Sequence, residues 1–162
     1  MFRLSKLTDY AVVALIRLDH EDPRAEAVQT SPGIAAATGV PEPTVAKVLK
    51  ALAAANLVSS QRGARGGYKL VKPLAAITVA DVIAAIDGPI ALTACVDGAA
   101  GGCEVEGRCA VKGRWDLVNG AIRDALSTIT LADMRDASLP PAFRIFEHPL
   151  PELTATPAPV AE

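Results

Sequence analysis

Apolar positions first fall into a regular pattern in "KLTDYAVVALIRLDH". Leu7, Tyr10 or Ala11, Ala14, Leu15 and Leu18 recur there at helical spacing, with Ser5 or Thr8 placed to cap the start. Further on, Ser31-Pro32 supplies a capping signal and a proline suited to the first helical position. "PGIAAATG" then predicts a short helix over 32–38, closed by Gly39. Pro41 and Pro43 restrict the entry to the next segment. Val45, Val48, Leu49 and Leu52 follow at i, i+3, i+4 and i+7, predicting a helix over 43–55 that ends near Asn56. Two helices joined by a tight, glycine-containing turn make a helix-turn-helix. Leu57–Gln61 then reads as a strand, "RGARGG" as a glycine-rich loop and Tyr68–Val71 as a returning strand. That order predicts a winged helix-turn-helix; a small helical bundle carrying a hairpin is the plain alternative.

"ITVADVIAAIDGP" predicts another amphipathic helix, capped by Thr78 with Asp81 three positions on and ended by Gly88. A loop containing every cysteine follows. From about Arg114, "RWDLVNGAIRDALSTITLADM" places Trp115, Val118, Ile122, Leu126 and Ile129 on one stripe of a long helix. A stripe of this length beyond a compact winged domain needs a partner surface, and a symmetric homodimer is the simplest one. Packing back on its own domain is the alternative. From about Ala137 onward the chain holds six prolines and reads as an irregular or disordered tail. No internal repeat is visible. The fold class expected is mainly α, organised as a winged helix-turn-helix DNA-binding domain (1–90), a cysteine loop (91–113), a dimerisation helix (114–137) and a Pro-rich tail (138–162).

Composition sharpens this picture. Apolar residues make up 51% of the 162 positions but aromatics only 4%, so the core rests on Ala, Val, Leu and Ile and favours helices. The net charge of −2 conceals a split: residues 1–72 carry ten Lys and Arg against six Asp and Glu, residues 73–162 six against twelve. A basic half points to a polyanionic partner; chance variation in solvated surface is the bland alternative. Within 39–72 stand Lys47, Lys50, Arg62, Arg65, Lys69 and Lys72 against the single acid Glu42. Lys47 and Lys50 share a helix face opposite the apolar stripe, while Arg62 and Arg65 sit among glycines at the wing tip. A helix-turn-helix reads the major groove with the N-terminal residues of its second helix, here Pro43, Thr44 and Lys47. Thr44 suits a base edge or thymine methyl, Lys47 a guanine edge or phosphate, Lys50 a phosphate and the wing arginines a narrow minor groove. Lys69 and Lys72 are left as solvated surface. The expected partner is a double-stranded DNA operator.

No apolar run approaches the roughly 20 residues of a membrane span, and Asp9 and Arg17 interrupt the only N-terminal candidate for a secretory signal. The chain therefore reads as cytoplasmic, with no membrane partner and no small-molecule substrate. In a reducing compartment, clustered cysteines point to metal or redox chemistry rather than disulfides. Cys95, Cys103 and Cys109 are spaced C-x7-C-x5-C among glycines, Asp97, Glu104, Glu106 and Arg108. The close CxxC pairs usual for structural zinc are absent. Wide gaps in a glycine-rich loop suit an iron–sulfur cluster wrapped by one loop, with zinc left open.

The start "MFRLSKLTDYAVVAL", the block "VPEPTVAKVLKALAAANLVSSQRGARGGYKL", the three-cysteine loop and "TITLADM" together resemble the bacterial iron–sulfur-sensing winged-helix repressors of the IscR/NsrR type, over residues 1–136. The start is most similar to the branch that regulates the SUF iron–sulfur assembly system. The resemblance implies a dimeric repressor with one cluster per subunit, held by the three cysteines and one further ligand, and controlling iron–sulfur assembly genes. In the assembly-regulator branch that ligand is a histidine three residues after the last cysteine. Here Lys112 stands there, and an ammonium has no lone pair to offer a metal. In the nitric-oxide-sensing branch an aspartate near the start of the first helix, donated by the other subunit, fills the role. Asp9 matches that position. It is also an ordinary first-turn aspartate of the kind a helix dipole favours. The resemblance favours 2Fe–2S, while the Asp9 arrangement resembles the branch that carries 4Fe–4S. Two alternatives stand beside an assembly-gene repressor: a zinc- or thiol-redox-regulated regulator without a cluster, and a nitric-oxide sensor. An enzyme is not expected, since no nucleophile–base pair, phosphate-binding glycine motif or HExxH is present.

Overall fold

A computed structural model describes residues 4–19, 28–63, 66–96, 108–111 and 113–136. Arg65, Cys103, Lys112 and the Pro-rich tail lie outside the described residues. Helix α1 (Lys6–Leu18) starts at Ser5, whose hydroxyl accepts from Thr8 N at 3.2 Å. It buries Thr8, Ala11, Val12, Ala14, Leu15 and Leu18, the stripe expected from the spacing. Helix α2 (Ser31–Thr38) is capped by Thr30, one residue earlier than the Ser31-Pro32 signal indicates. Thr30 Oγ1 accepts from Gly33 N at 3.2 Å, so Ser31 becomes the first helical residue. Gly39 ends it with φ 73°, a left-handed conformation that glycine adopts freely.

Helix α3 (Glu42–Ala54) follows after Val40-Pro41 and buries Val45, Val48, Leu49 and Leu52 against α1 and α2. Asn56 takes φ 58°, and Leu57 N closes the turn onto Leu52 O at 2.9 Å. Strands β1 (Val58–Gln61) and β2 (Gly67–Leu70) pair antiparallel, Val58 with Leu70 and Gln61 with Gly67. The hairpin is also tied inward. Gln29 and Tyr68 exchange two backbone hydrogen bonds of 2.9 and 2.8 Å, and Gln29 Nε2 donates to Arg17 O at 2.7 Å. A Cβ at Gly67 would lie 2.5 Å from Gln29 O, so only glycine permits this approach.

Helix α4 (Val79–Ile86) carries the expected capping box between Thr78 and Asp81. The helix expected from Arg114 to 137 is interrupted. It divides into α5 (Trp115–Thr128) and α6 (Leu131–Arg135), with Ile129 and Thr130 extended between them. Two causes act together. Thr130 and Asp133 form a second capping box, and residues 129–131 pair with 77–79 through Val79 N to Ile129 O and Leu131 N to Ile77 O, both 2.9 Å. The paired segments echo each other in sequence, Thr78-Val79-Ala80-Asp81 and Thr130-Leu131-Ala132-Asp133.

The main core gathers α1, α2, α3, β1 and the Leu74–Ala76 turn, with Leu131 of α6 fully buried in it. A smaller cluster of Val79, Ile83 and Ile90 receives Ile122, Leu126 and Ile129. The α5 stripe is therefore split. Its C-terminal half packs on the same chain, whereas Trp115 (40% exposed), Leu117 (80%) and Val118 (45%) face outward.

Candidate DNA interface and cysteine site

Burial of Val45, Val48, Leu49 and Leu52 fixes the rotation of α3, so the opposite face is presented to solvent. Pro43, Lys47 and Lys50 are exposed along that face, and Thr44 is half-buried in its first turn. The helix N-terminus is not blocked by a side-chain cap; Thr44 N and Val45 N turn back to Pro41 O at 2.9 and 3.0 Å. Arg62 is exposed immediately after β1, and β1 packs against α3. Recognition helix and wing thus form one unit, with Pro43, Lys47, Lys50 and Arg62 outward. The arrangement can place cations on phosphates and side chains of the first turn on base edges. Lys69 is exposed on β2, whereas Lys72 is engaged with Asp81 at 3.3 Å. Burial raises the Asp81 pKa, but hydrogen bonds from Thr78 and the Lys72 ammonium outweigh it and hold the carboxyl below its ordinary value.

The segment leading to the cysteines leaves α4 at Asp87 and Gly88. Asp87 Oδ2 accepts from Thr8 Oγ1 at 2.7 Å and from Ser5 N at 3.4 Å, joining the end of α4 to the start of α1. Burial works against its charge, yet the Thr8 and Ser5 hydrogen bonds win and keep the Asp87 carboxyl below the usual carboxylate value. Farther along, Asn119 of α5 holds Ile90 O and Leu92 N. Cys95 is half-buried, with Thr93 Oγ1 3.2 Å from its sulfur. Cys109 is also half-buried, and neither of these two is in a disulfide.

Two free thiols on a segment rooted between α4 and α5 are soft donors of the kind iron and zinc accept, so their chemistry fits a metal centre. Among the described residues no three His, Cys, Asp or Glu side chains gather into a metal-binding group. Asp9 is exposed on the first turn of α1, in a cleft of about 300 Å³ shared with Leu4, Lys6, Val12, Val79 and Met134. Within one chain it does not form a ligand set with Cys95 and Cys109. Sequence reasoning missed Asn119 and the Thr8–Asp87 pair. Asn119 carries a legible signal, an amide between Trp115, Val118 and Ile122 on an otherwise apolar stripe. The Thr8–Asp87 contact spans 79 residues and has no local signal.

Comparison with known proteins agrees with this geometry. The family model Rrf2, described as an iron-dependent transcriptional regulator, matches residues 4–137. Rv1287 of Mycobacterium tuberculosis, named as an HTH-type transcriptional regulator, is 34% identical over 139 residues, covering 85% of this chain and 84% of that protein. CymR, the global cysteine regulator of B. subtilis, superposes with a TM-score of 0.62 at 27% identity, over 86% of this chain and 100% of the CymR chain. T. potens IscR gives 0.59 at 28% identity, over 85% of this chain and 89% of its own. No helix among the described residues is long and apolar enough to cross a membrane. The winged helix, the outward basic face of α3 and the match across nearly all the described chain place this protein in the Rrf2 family of DNA-binding transcriptional regulators.

Proposed function

We propose that this chain is a cytoplasmic, homodimeric repressor whose affinity for its operator is set by an iron–sulfur cluster, and that it controls iron–sulfur assembly genes. The observation that carries the reading is the C-x7-C-x5-C segment. Its two described cysteines are free and half-buried, and it connects the winged domain to α5 in a chain whose family is described as iron-dependent. Cys95, Cys103 and Cys109 are the proposed thiolate ligands, and Asp9 from the other subunit the fourth. When bound, the cluster supplies a redox- and gas-sensitive centre whose oxygen-ligated corner is its labile point. We assign 2Fe–2S, with 4Fe–4S as the variant that the Asp9 ligand favours.

The proposed division of labour keeps 1–90 as the DNA-binding domain, 91–113 as the sensing loop and 114–137 as the dimerisation segment, now two helices. The outward Trp115, Leu117 and Val118 support a second copy of the chain as the partner of α5. Pro43, Thr44, Lys47, Lys50, Arg62 and Arg65 are the proposed DNA contacts. Cluster binding at the cysteine segment alters how α5 sits on the winged domain, and the spacing of two recognition helices decides operator affinity.

The likeness to CymR, named a global cysteine regulator, is equally compatible with a second reading in which the same thiols act without a cluster. Anaerobic purification separates the two. A brown protein with visible absorption, near-equal iron and sulfide and cluster-dependent operator binding supports the first reading. A colourless protein whose operator binding changes only with thiol oxidation or zinc supports the second. Asp9→Ala with unchanged cluster lifetime and DNA affinity removes Asp9 from the ligand set.

A further inference from the structure

Helix α5 buries one polar side chain among the described residues. Asn119 is 4% exposed, on a helix whose other residues are half-buried or exposed. Its amide is used at both ends: Nδ2 donates to Ile90 O at 2.9 Å, and Oδ1 accepts from Leu92 N at 3.1 Å. The two backbone groups lie two residues apart, so the amide fixes the peptide run between them rather than a single atom. A solvent-facing α5 would not need a buried amide, and an apolar residue at 119 would leave Ile90 O and Leu92 N without this partner.

What the clamp holds is the lead into Cys95. Ile90 anchors the small cluster with Val79 and Ile83. Immediately after Leu92, Thr93 brings its hydroxyl to the Cys95 sulfur, and the next residue, Val96, is buried. At its other end the same run begins at Asp87, bonded to Thr8 and Ser5 of the α1 start. Residues 87–92 are thus tied to α1 at one end and to α5 at the other, with Cys95 three residues beyond the second tie.

We infer that Asn119 is a positioning residue of the cysteine site, holding the backbone at Ile90 and Leu92 so that Cys95, three residues on, is presented at a fixed place relative to α5. The inference rests on the reading of the cysteine segment as the sensing site, and its test does not require a cluster. Three full-length proteins, wild type, Asn119→Ala and Leu126→Ala, are compared reduced and metal-free. Leu126→Ala loosens α5 from the Val79, Ile83 and Ile90 cluster while leaving both Asn119 hydrogen bonds in place. Alkylation rates at Cys95 and Cys109 are read by peptide mass spectrometry, and hydrogen exchange is followed at Leu92 N.

Asn119→Ala is expected to accelerate Cys95 alkylation and Leu92 exchange by about 10-fold relative to Leu126→Ala, the factor for releasing about 1.4 kcal/mol of hydrogen bonding. Cys109 is expected to stay at the wild-type rate. Asn119→Asp keeps the acceptor for Leu92 N and sets an oxygen against Ile90 O, so it gives an intermediate rate and serves if Asn119→Ala does not fold. Equal Cys95 rates in Asn119→Ala and Leu126→Ala, or wild-type rates in Asn119→Asp, overturn the inference. A colourless wild-type protein sinks the cluster reading alone, because the alkylation result stands without it.

Discussion

The winged half and the α5 half of this molecule solve the same problem differently. In α1–α3 every apolar stripe meets another stripe of the same chain, and Leu15, Ile34, Leu49 and Leu52 are fully buried. The stripe that starts in α5 meets its own chain at Ile122, Leu126 and, just past the helix, Ile129, while Trp115 and Val118 remain outside, as does Leu117 on a neighbouring face. Where the first region is held by area removed from water, the second is held by a few side chains and directed bonds: the Asn119 amide, the Thr130–Asp133 capping box and a short backbone pairing. The larger apolar core belongs to α1–α3, and the segment that carries Cys95 is tied mainly by directed hydrogen bonds.

The sharpest way to break this contrast is to truncate a leucine on each side. Leu49→Ala is expected to cost about 2–5 kcal/mol, as core Leu→Ala changes do. Leu117→Ala, at 80% exposure, is expected to leave the unfolding free energy of dilute protein, read by urea titration, within about 0.5 kcal/mol of wild type. Its effect is expected in the oligomeric state, read by sedimentation. A Leu117 variant that unfolds like Leu49→Ala would show that the two halves share one core.

The basic face offers a second contrast between an outward lysine and an engaged one. Lys47→Ala is expected to weaken operator binding by about 10-fold and to flatten its log–log salt slope by about 0.9. Lys72→Ala, which removes the Asp81 pair, is expected to leave the slope near wild type. Equal slopes for both variants would take α3 out of the interface.

Capping comes next in size. Thr130→Ala removes the box that starts α6 and is expected to cost about 1 kcal/mol in denaturant unfolding. If α5 then ran on through residue 130, circular dichroism would show gained helix instead of lost stability.

The smallest effect is the pH dependence of the α1–α4 tie. The Asp87 carboxyl is held below its ordinary value when folded, so its contribution is present at neutral pH. It disappears as pH falls through the carboxylate range, below about pH 4. Asp87→Asn is expected to narrow the stability gap between pH 7 and pH 3 by less than about 1 kcal/mol, because the group is largely solvated. Thr8→Val, which removes the hydroxyl donor, should narrow it in the same direction.

Much of the fold is legible locally. The α3 stripe at 45, 48, 49 and 52, the Gly39 turn and the Thr78–Asp81 box all appear as expected, because each depends on residues within one or two helical turns. The interruption of the last helix is harder to see. The stripe from Trp115 passes through Ile129 without a change of phase, and only the pairing of 129–131 with 77–79 stops it. The Thr30 cap is displaced by a single residue because Ser31 offers the same hydroxyl chemistry. Among the proposed site residues, Pro43, Lys47 and Lys50 stand outward because helix phase decides exposure, and Arg62 is exposed where the chain leaves β1. Asp9 and the cysteines are different. One chain does not gather Asp9 with Cys95 and Cys109, and a ligand set completed by another subunit has no periodicity to read.

By itself the sequence determined a helix-turn-helix with a wing, the outward basic face of its second helix and a three-cysteine segment lying between two helices. Those follow from the 3.6-residue period, turn chemistry and residue type, all short-range properties of the chain. Tertiary structure alone decided that residues 87–92 are tied to α1 by Thr8 and to α5 by Asn119, and that half of the α5 stripe stays exposed. Both outcomes depend on which distant surfaces meet, and the satisfaction of a backbone carbonyl or amide by a side chain 29 residues away is settled only when the core has formed.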